Sequence, residues 1–281
     1  MAPLPSLPIG VFDSGVGGLT VLDAIAQRLP SEDLLYLGDT ARVPYGTRSP
    51  LTVRRYASRV ASHLWGQGIK ALVIACNTAT AHALDDLIEA GDRVGLPVLG
   101  VIEPGVAVAA AQTRSGHVGV IGTEGTIRAG RYQAALEARG LTATGLPCPL
   151  FVPLAEEGWT EGEVAALVAE RYLAPLRGGP DTLILGCTHF PLLRGVVAAA
   201  LPGVEVIDSA HAAADAVAAM LDAQGLLRDP SSAPGQHRFQ VTDNLERFHV
   251  VGERFLQRDP GPVQLVDLPE PAGPFLSTRS G

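Results

Sequence analysis

The amino-acid sequence predicts an α/β protein made of two similar, mainly parallel-sheet domains with a cleft between them. Three observations carry this. Short apolar runs alternate with helical patterns along the chain, as parallel strands joined by crossover helices require. Several runs are continuously apolar, which fits strands covered on both faces. A faint internal repeat is also visible: ALVIACNTAT, a helix and LPVLGVIEP parallel TLILGCTHFP, a helix and LPGVEVIDS. Likewise VFDSGVGG and VIGTEGT both follow strands and open helices.

The expected strands, in order, are IGVFD (9–13), LLYLG (34–38), ALVIA (71–75), VLGVI (98–102), HVGVI (117–121), TLILG (182–186), VEVID (204–208) and HRFQV (237–241). Between the first two, Leu19, Leu22, Ile25 and Leu29 recur at helical spacing. Residues 124–139 read as one helix ended by Gly140, and the Ala-rich stretch 210–224 as another ended by Gly225. Residues 226–236 read as a loop, and PEPAGPFLSTRSG (269–281) as a frayed tail. The domain boundaries fall near 103 and 208. Residues 1–102 and 209–281 then form a first, discontinuous domain and 103–208 a second.

Composition narrows the function. With 281 residues, 47% hydrophobic and 18% charged, the chain can bury two ordinary cores. A net charge of −8 with no basic block disfavours nucleic-acid binding. No long apolar run suggests a membrane span. The start, MAPLPSLPIG, lacks a charged n-region and a long h-region, so no signal peptide is expected and the reading is cytoplasmic. Three cysteines do not make a disulfide framework. The only lysine, Lys70, precedes ALVIAC and so lies at the strand's amino end, away from the expected site. It reads as a solvated strand-end charge. A pyridoxal-phosphate enzyme needs a lysine at the reacting centre, so that cofactor is disfavoured.

Cys76 and Cys187 are the informative residues. Each follows an apolar strand and opens a polar turn, where open parallel sheets bind ligands. Backbone N–H groups at a helix start favour a thiolate there. A lone cysteine in such a run is usually inert and buried. Two in matching contexts, with Asn77, Thr78 and Thr80 beside one and Thr188 and His189 beside the other, point to two thiols facing one small substrate. Cys148, in GLPCPLF, has no polar companions and reads as inert. The Cys187–His189 pair lacks the further ligands a zinc site needs, so no metal is expected. A Cys/His hydrolase would use Cys187 and leave Cys76 unexplained.

Asp13 stands at the tip of the first strand, ahead of a Gly-rich turn that is neither a Walker loop nor GxGxxG. It is placed to balance a thiol or a substrate amine. Tyr45 and Gly46, in GDTARVPYG, can line the cleft; the plainer reading is a turn with a surface tyrosine. Glu156 and Glu157 look by spacing alone like a solvated helix end. Two opposed thiols suit inversion of a carbon stereocentre: one removes the α-proton, the other returns one to the opposite face. Ser14, Asn77, Thr78 and Thr188 are candidate donors to substrate carboxylates, with Asp13 beside Cys76 and His189 beside Cys187 as helpers.

GVFDSGVGGLTV, YLGDTARVPYG, VIACNTATA, VPLAEEG and LILGCTHFPLL resemble the glutamate racemases, over residues 9 to about 257. The resemblance implies two α/β domains related by pseudo-two-fold symmetry, no cofactor, L- and D-glutamate as substrates, a role in peptidoglycan precursor synthesis and a homodimer. It implies Cys76 and Cys187 as the acid/base pair, Cys76 acting on D-glutamate and Cys187 on L-glutamate. Asp13, Glu156 and His189 would assist catalysis. Asp13, Ser14, Tyr45, Gly46, Asn77, Thr78, Thr188 and His189 would contact substrate. A related aspartate or hydantoin racemase, a non-turning binder of acidic amino acids and the thiol hydrolase remain as alternatives.

Overall fold

A computed structural model describes residues 3–271 and 273–275. Among the described residues ten strands form two sheets, and every pairing is parallel. The chain runs β1 (Ile9–Asp13), α1 (Leu19–Arg28), β2 (Leu34–Gly38), α2 (Pro50–Gly66), β3 (Ala71–Ile74), α3 (Asn77–Asp92) and β4 (Val98–Gly100). Next come α4 (Ile102–Gln112), β5 (His117–Gly122), α5 (Glu124–Ala129), α6 (Arg131–Glu137) and β6 (Thr142–Pro147). They are followed by α7 (Phe151–Glu157), α8 (Gly162–Leu173), β7 (Thr182–Gly186), α9 (Arg194–Ala200), β8 (Glu205–Asp208) and α10 (Ser209–Ala223). The last elements are β9 (His237–Val241), α11 (Leu245–Leu256) and β10 (Val263–Leu265).

One sheet has the order β10-β9-β2-β1-β3-β4, the other β6-β5-β7-β8. Within each, the first strand sits between the second and the third, and the fourth flanks the third. The order therefore reverses between β1 and β3 in one sheet and between β5 and β7 in the other. Ligand crevices of open parallel sheets lie outside the carboxyl ends of the strands at such points. Asp13 ends β1, Cys76 lies two residues beyond β3, and Cys187 follows β7 directly.

All eight expected strands are present, four with the expected bounds and four with one end shifted by one or two residues. The fourth stops at Gly100 because Ile102 already opens α4. Two strands were not expected: β6, TATGLP, has little apolar content, and β10, VQL, is only three residues long. The expected helix 124–139 is two helices, because Gly130 takes φ +69° and ends α5. Gly140 does lie in the left-handed region. The loop at 226–236 holds no regular element.

Two expectations are corrected. Lys70 is fully buried. It pairs with Glu32 and donates to the carbonyls of Pro5 (2.7 Å) and Leu226 (2.8 Å). The amino-terminal segment and the 226 turn cover that end of the sheet, so the charge is paired inside rather than solvated. Nor is the described part of the tail frayed: Leu268 and Phe275 are buried, Phe275 against Trp65 at 6.3 Å. Residues 276–281 lie outside the described residues.

Helix α11 escaped sequence reading. It carries Phe248, Val251, Gly252, Phe255 and Leu256 inward, each large side chain contributing about 1.5–3 kcal/mol by burial. Among the described residues no helix is long and apolar enough to cross a membrane.

Candidate active site

The two halves meet through glycines. A Cβ on Gly17 would stand 2.3 Å from Thr188 Oγ1 and 2.6 Å from His189 Nδ1. One on Gly46 would strike the Thr123 side chain at 2.6 Å, and one on Gly125 the Gly46 carbonyl at 2.9 Å. Only glycine permits this approach, which brings the carboxyl ends of both sheets together.

On the six-stranded side, Asp13 is fully buried. Its Oδ2 accepts the Gly15 N–H at 2.9 Å, while Oδ1 has no partner among the described residues. Burial raises its pKa above the ordinary carboxylate value; the nearby His189 charge and the N–H groups of Gly15, Gly18 and Ser14 oppose that. Cys76 is the N-cap of α3. Its Sγ accepts the Ala79 N–H at 3.4 Å and donates to Ser14 Oγ at 3.5 Å. A helix start was expected to favour the thiolate. Instead burial first, and the Asp13 charge second, push the Cys76 thiol up to about 12. The Ser14 and Ala79 bonds pull the other way and lose; Cys187 adds to the rise. Each thiol thus lies within electrostatic reach of the other.

Asn77 and Thr78 begin α3 and are buried. Asn77 Oδ1 accepts the Tyr132 hydroxyl at 2.6 Å, leaving Nδ2 without a partner among the described residues. Thr78 Oγ1 lies 2.9 Å from Thr123 Oγ1 and 3.0 Å from Thr126 Oγ1. This hydroxyl cluster ties α3 to the start of α5, and so one half to the other. Tyr45 is no surface tyrosine: it is buried and donates to Asp39 Oδ2 at 2.7 Å. Asp39 also takes Arg42 (2.7 Å) and Thr242 (2.9 Å), which fixes the loop carrying Gly46.

On the four-stranded side, Cys187 Sγ lies 3.8 Å from His189 Nδ1, and Thr188 Oγ1 is 3.5 Å from the same nitrogen. His189 Nε2 faces Glu156 Oε1 at 3.2 Å. Burial lowers the imidazole pKa, but Cys187 and Glu156 prevail and hold it at about 10. Glu156 is pushed up by burial yet held down to about 2 by His189 and Arg247. Its neighbour Glu157 is largely exposed and reaches only Arg247, at 3.4 Å. The helix end therefore turns one glutamate inward and one outward.

Sequence reading did not single out Thr123, Thr126, Tyr132, Arg247 and Phe255, and noted Gly17 only as one glycine of the turn after β1. Of these, Thr123 and Thr126 carried a signal, both lying in VIGTEGT, the counterpart of VFDSGVGG. Cys148 is buried, its Sγ 3.8 Å from the Leu146 carbonyl. No group of three or more histidine, cysteine or carboxylate side chains among the described residues is arranged to hold a metal ion.

Residues 9–217 match the model of the Asp/Glu/Hydantoin racemase family. The chain is 53% identical over 269 residues to the glutamate racemase of Geobacter metallireducens, covering 94% of this chain and 98% of that one. Among solved structures it resembles glutamate racemase from Francisella tularensis in complex with D-glutamate, with TM-score 0.88 and 38% identity over 94% of this chain and 99% of that one. It also resembles glutamate racemase from Thermus thermophilus in complex with beta-chloro-D-alanine, with TM-score 0.84 and 46% identity over 94% and 98%.

Proposed function

The chain belongs to the Asp/Glu/Hydantoin racemase family and is a racemase; on that premise we propose that it interconverts L- and D-glutamate through Cys76 and Cys187. One observation carries the reading. The two thiols occupy the same place in two sheets of the same strand order, and each has its own titratable helper. A hydrolase would need only one of them, and a simple binder neither.

In this reading, one cysteine as thiolate takes the Cα proton, and the electron pair left on carbon delocalises into the α-carboxylate. The other cysteine, as thiol, gives its proton to the opposite face. Cys187 acts on L-glutamate and Cys76 on D-glutamate, as the family resemblance implies. Positioned proton transfer supplies about 10²–10⁴-fold; alignment and charge stabilisation supply the rest. Asp13 Oδ1 suits the substrate ammonium, and Asn77 Nδ2 a substrate carboxylate. Ser14, Thr78, Thr188 and backbone N–H groups around Gly46 complete the donor set. An ammonium beside Asp13 would cancel the charge that, after burial, most holds up the Cys76 thiol, so binding itself would ease its ionisation. His189 lies beside the Cys187 sulfur to take or return its proton, with Glu156 behind it. No step needs a cofactor.

Two identical product assays test this. Incubation with L-glutamate should yield D-glutamate by chiral chromatography, and L-aspartate should turn over far more slowly. Preference for aspartate or a hydantoin would overturn the substrate assignment. We further propose that 1–102 with 209–281, and 103–208, are the two domains; that the protein is a cytoplasmic homodimer; and that its product feeds peptidoglycan precursors. Growth of a D-glutamate-requiring bacterium on the cloned gene tests the last point, and sedimentation the dimer.

A further inference from the structure

Helix α11 belongs to the six-stranded half. Its Gly252 abuts Leu19 of α1, where a Cβ would come within 3.2 Å, and Phe248 lies against Tyr36 at 6.1 Å between ring centroids. Yet three of its side chains reach across to the helper of the opposite thiol. The Phe255 ring meets His189 edge-on, at 5.3 Å and 82°. Arg247 donates to Glu156 Oε2 at 2.9 Å. Arg254 donates to the backbone carbonyl of the same Glu156. The two arginines are seven residues apart, two helical turns on one face.

We propose that α11 is the positioning element of the Cys187 side: Arg247 and Arg254 grip Glu156 by carboxylate and carbonyl, Phe255 flanks the His189 ring, and together they aim the Glu156–His189 pair at the Cys187 thiol. None of these three touches the reacting atoms. Glu156 sits in the last turn of α7, where the carbonyls lack helical partners and a cation is favoured. Gly158 ends that helix at φ +76°, and a Cβ there would stand 3.2 Å from Arg254 Nε. The missing side chain lets the guanidinium in. Glu156 uses one oxygen on His189 and the other on Arg247, so its carboxylate cannot swing without losing a charge-assisted bond. A helix carried by the Cys76 half thus holds the proton helper of the Cys187 half.

The effect on turnover rests on the two-thiol reading; the effect on His189 does not. The test compares Arg247→Gln, Arg247→Lys and Arg254→Gln with Arg28→Gln, a control that loses only an exposed pair with Asp215. The side chain of Arg247 is 51% exposed, so its loss should barely move the melting temperature. Arg247→Gln should lower kcat/KM by about tenfold, and Arg247→Lys should recover part of it. The equilibrium constant between enantiomers is one, so kcat/KM must fall equally in both directions. The fall in kcat itself should be larger with L-glutamate, where Cys187 is the base. In the same variants the His189 imidazole, followed by NMR, should titrate at lower pH, because Glu156, which with Cys187 holds it up, is no longer held in place.

Turnover equal to the Arg28→Gln control, with an unmoved His189 titration, overturns the proposal. A wild type that does not racemise glutamate, with a moved His189 titration in the variants, overturns the functional reading and upholds the positioning. If Arg254→Gln fails to fold, the Arg247 pair decides alone.

Discussion

The two halves of the molecule share a backbone frame and differ in the charge placed on it. In each sheet the first strand is bracketed by the second and third, and the catalytic cysteine proposed here follows the third. Carrying the strand registers just past their ends sets Cys76 across from Ser14 and Cys187 across from Thr123. A hydroxyl is thus common to both. The residue before it is Asp13 in one half and Gly122 in the other. The buried carboxylate stands on the Cys76 side alone, while the imidazole held at about 10 stands on the Cys187 side. A reaction symmetric in its two faces is run by a site asymmetric in its helpers. The fold sets where the sulfurs stand, and burial and the Asp13 charge together hold the proton on Cys76.

The strongest way to break the comparison is to remove one sulfur. Cys76→Ala and Cys187→Ala should each lose racemisation by at least about 10²-fold, with melting temperature changed little. In D₂O, each variant should still exchange the Cα proton of only one enantiomer, the opposite one for each. Equal exchange of both enantiomers by either variant would show that the halves are not specialised.

Gly17→Ala attacks the seam itself. Its Cβ would need the space of Thr188 and His189, so activity should fall about tenfold or more while each half stays folded. Near wild-type turnover would mean that the close approach is incidental.

Thiol alkylation sharpens the charge difference. Both cysteines are about equally buried, at 6% and 7% exposed, so reactivity reports ionisation. At neutral pH Cys76, whose thiol burial and then the Asp13 charge push up to about 12, should label slowly, and Asp13→Asn should speed it severalfold by removing the second of those causes. Peptide mass spectrometry reads this directly; an unchanged Cys76 rate would remove Asp13 from the account.

The smallest effect concerns stability. The folded pKa of His189 is raised from 6.5 to about 10. Its contribution is therefore complete below about pH 6.5 and is lost as pH rises toward 10, because the native state binds a proton that the unfolded chain has released. Between pH 7 and 9 the wild-type melting temperature should decline more than that of His189→Gln. Parallel declines would place the proton elsewhere.

Much of this was legible in the sequence because burial and repetition leave marks. Apolar runs located every strand of the two four-stranded frames except β6, and the repeated cysteine context located the seam. What escaped was set by tertiary structure. β6 is only half-buried and needs few apolar residues. Gly130 looks like any helix glycine until its φ is seen. Lys70 is charged, so one sequence gives no hint that Glu32 and two carbonyls enclose it. Glu156 and Glu157 are chemically identical; only the direction of α7 and the reach of Arg247 separate them. α11 was overlooked although its inward face is apolar, since its arginines and glutamates mask that face in the linear sequence.

Racemisation of L-glutamate in D₂O over the first few per cent of conversion tests the central claim most directly. With a thiol on each face, D-glutamate should form carrying deuterium at Cα while the remaining L-glutamate stays protiated. A single base serving both faces would put deuterium into recovered substrate and product alike, or carry the original proton across, and either result would contradict the account.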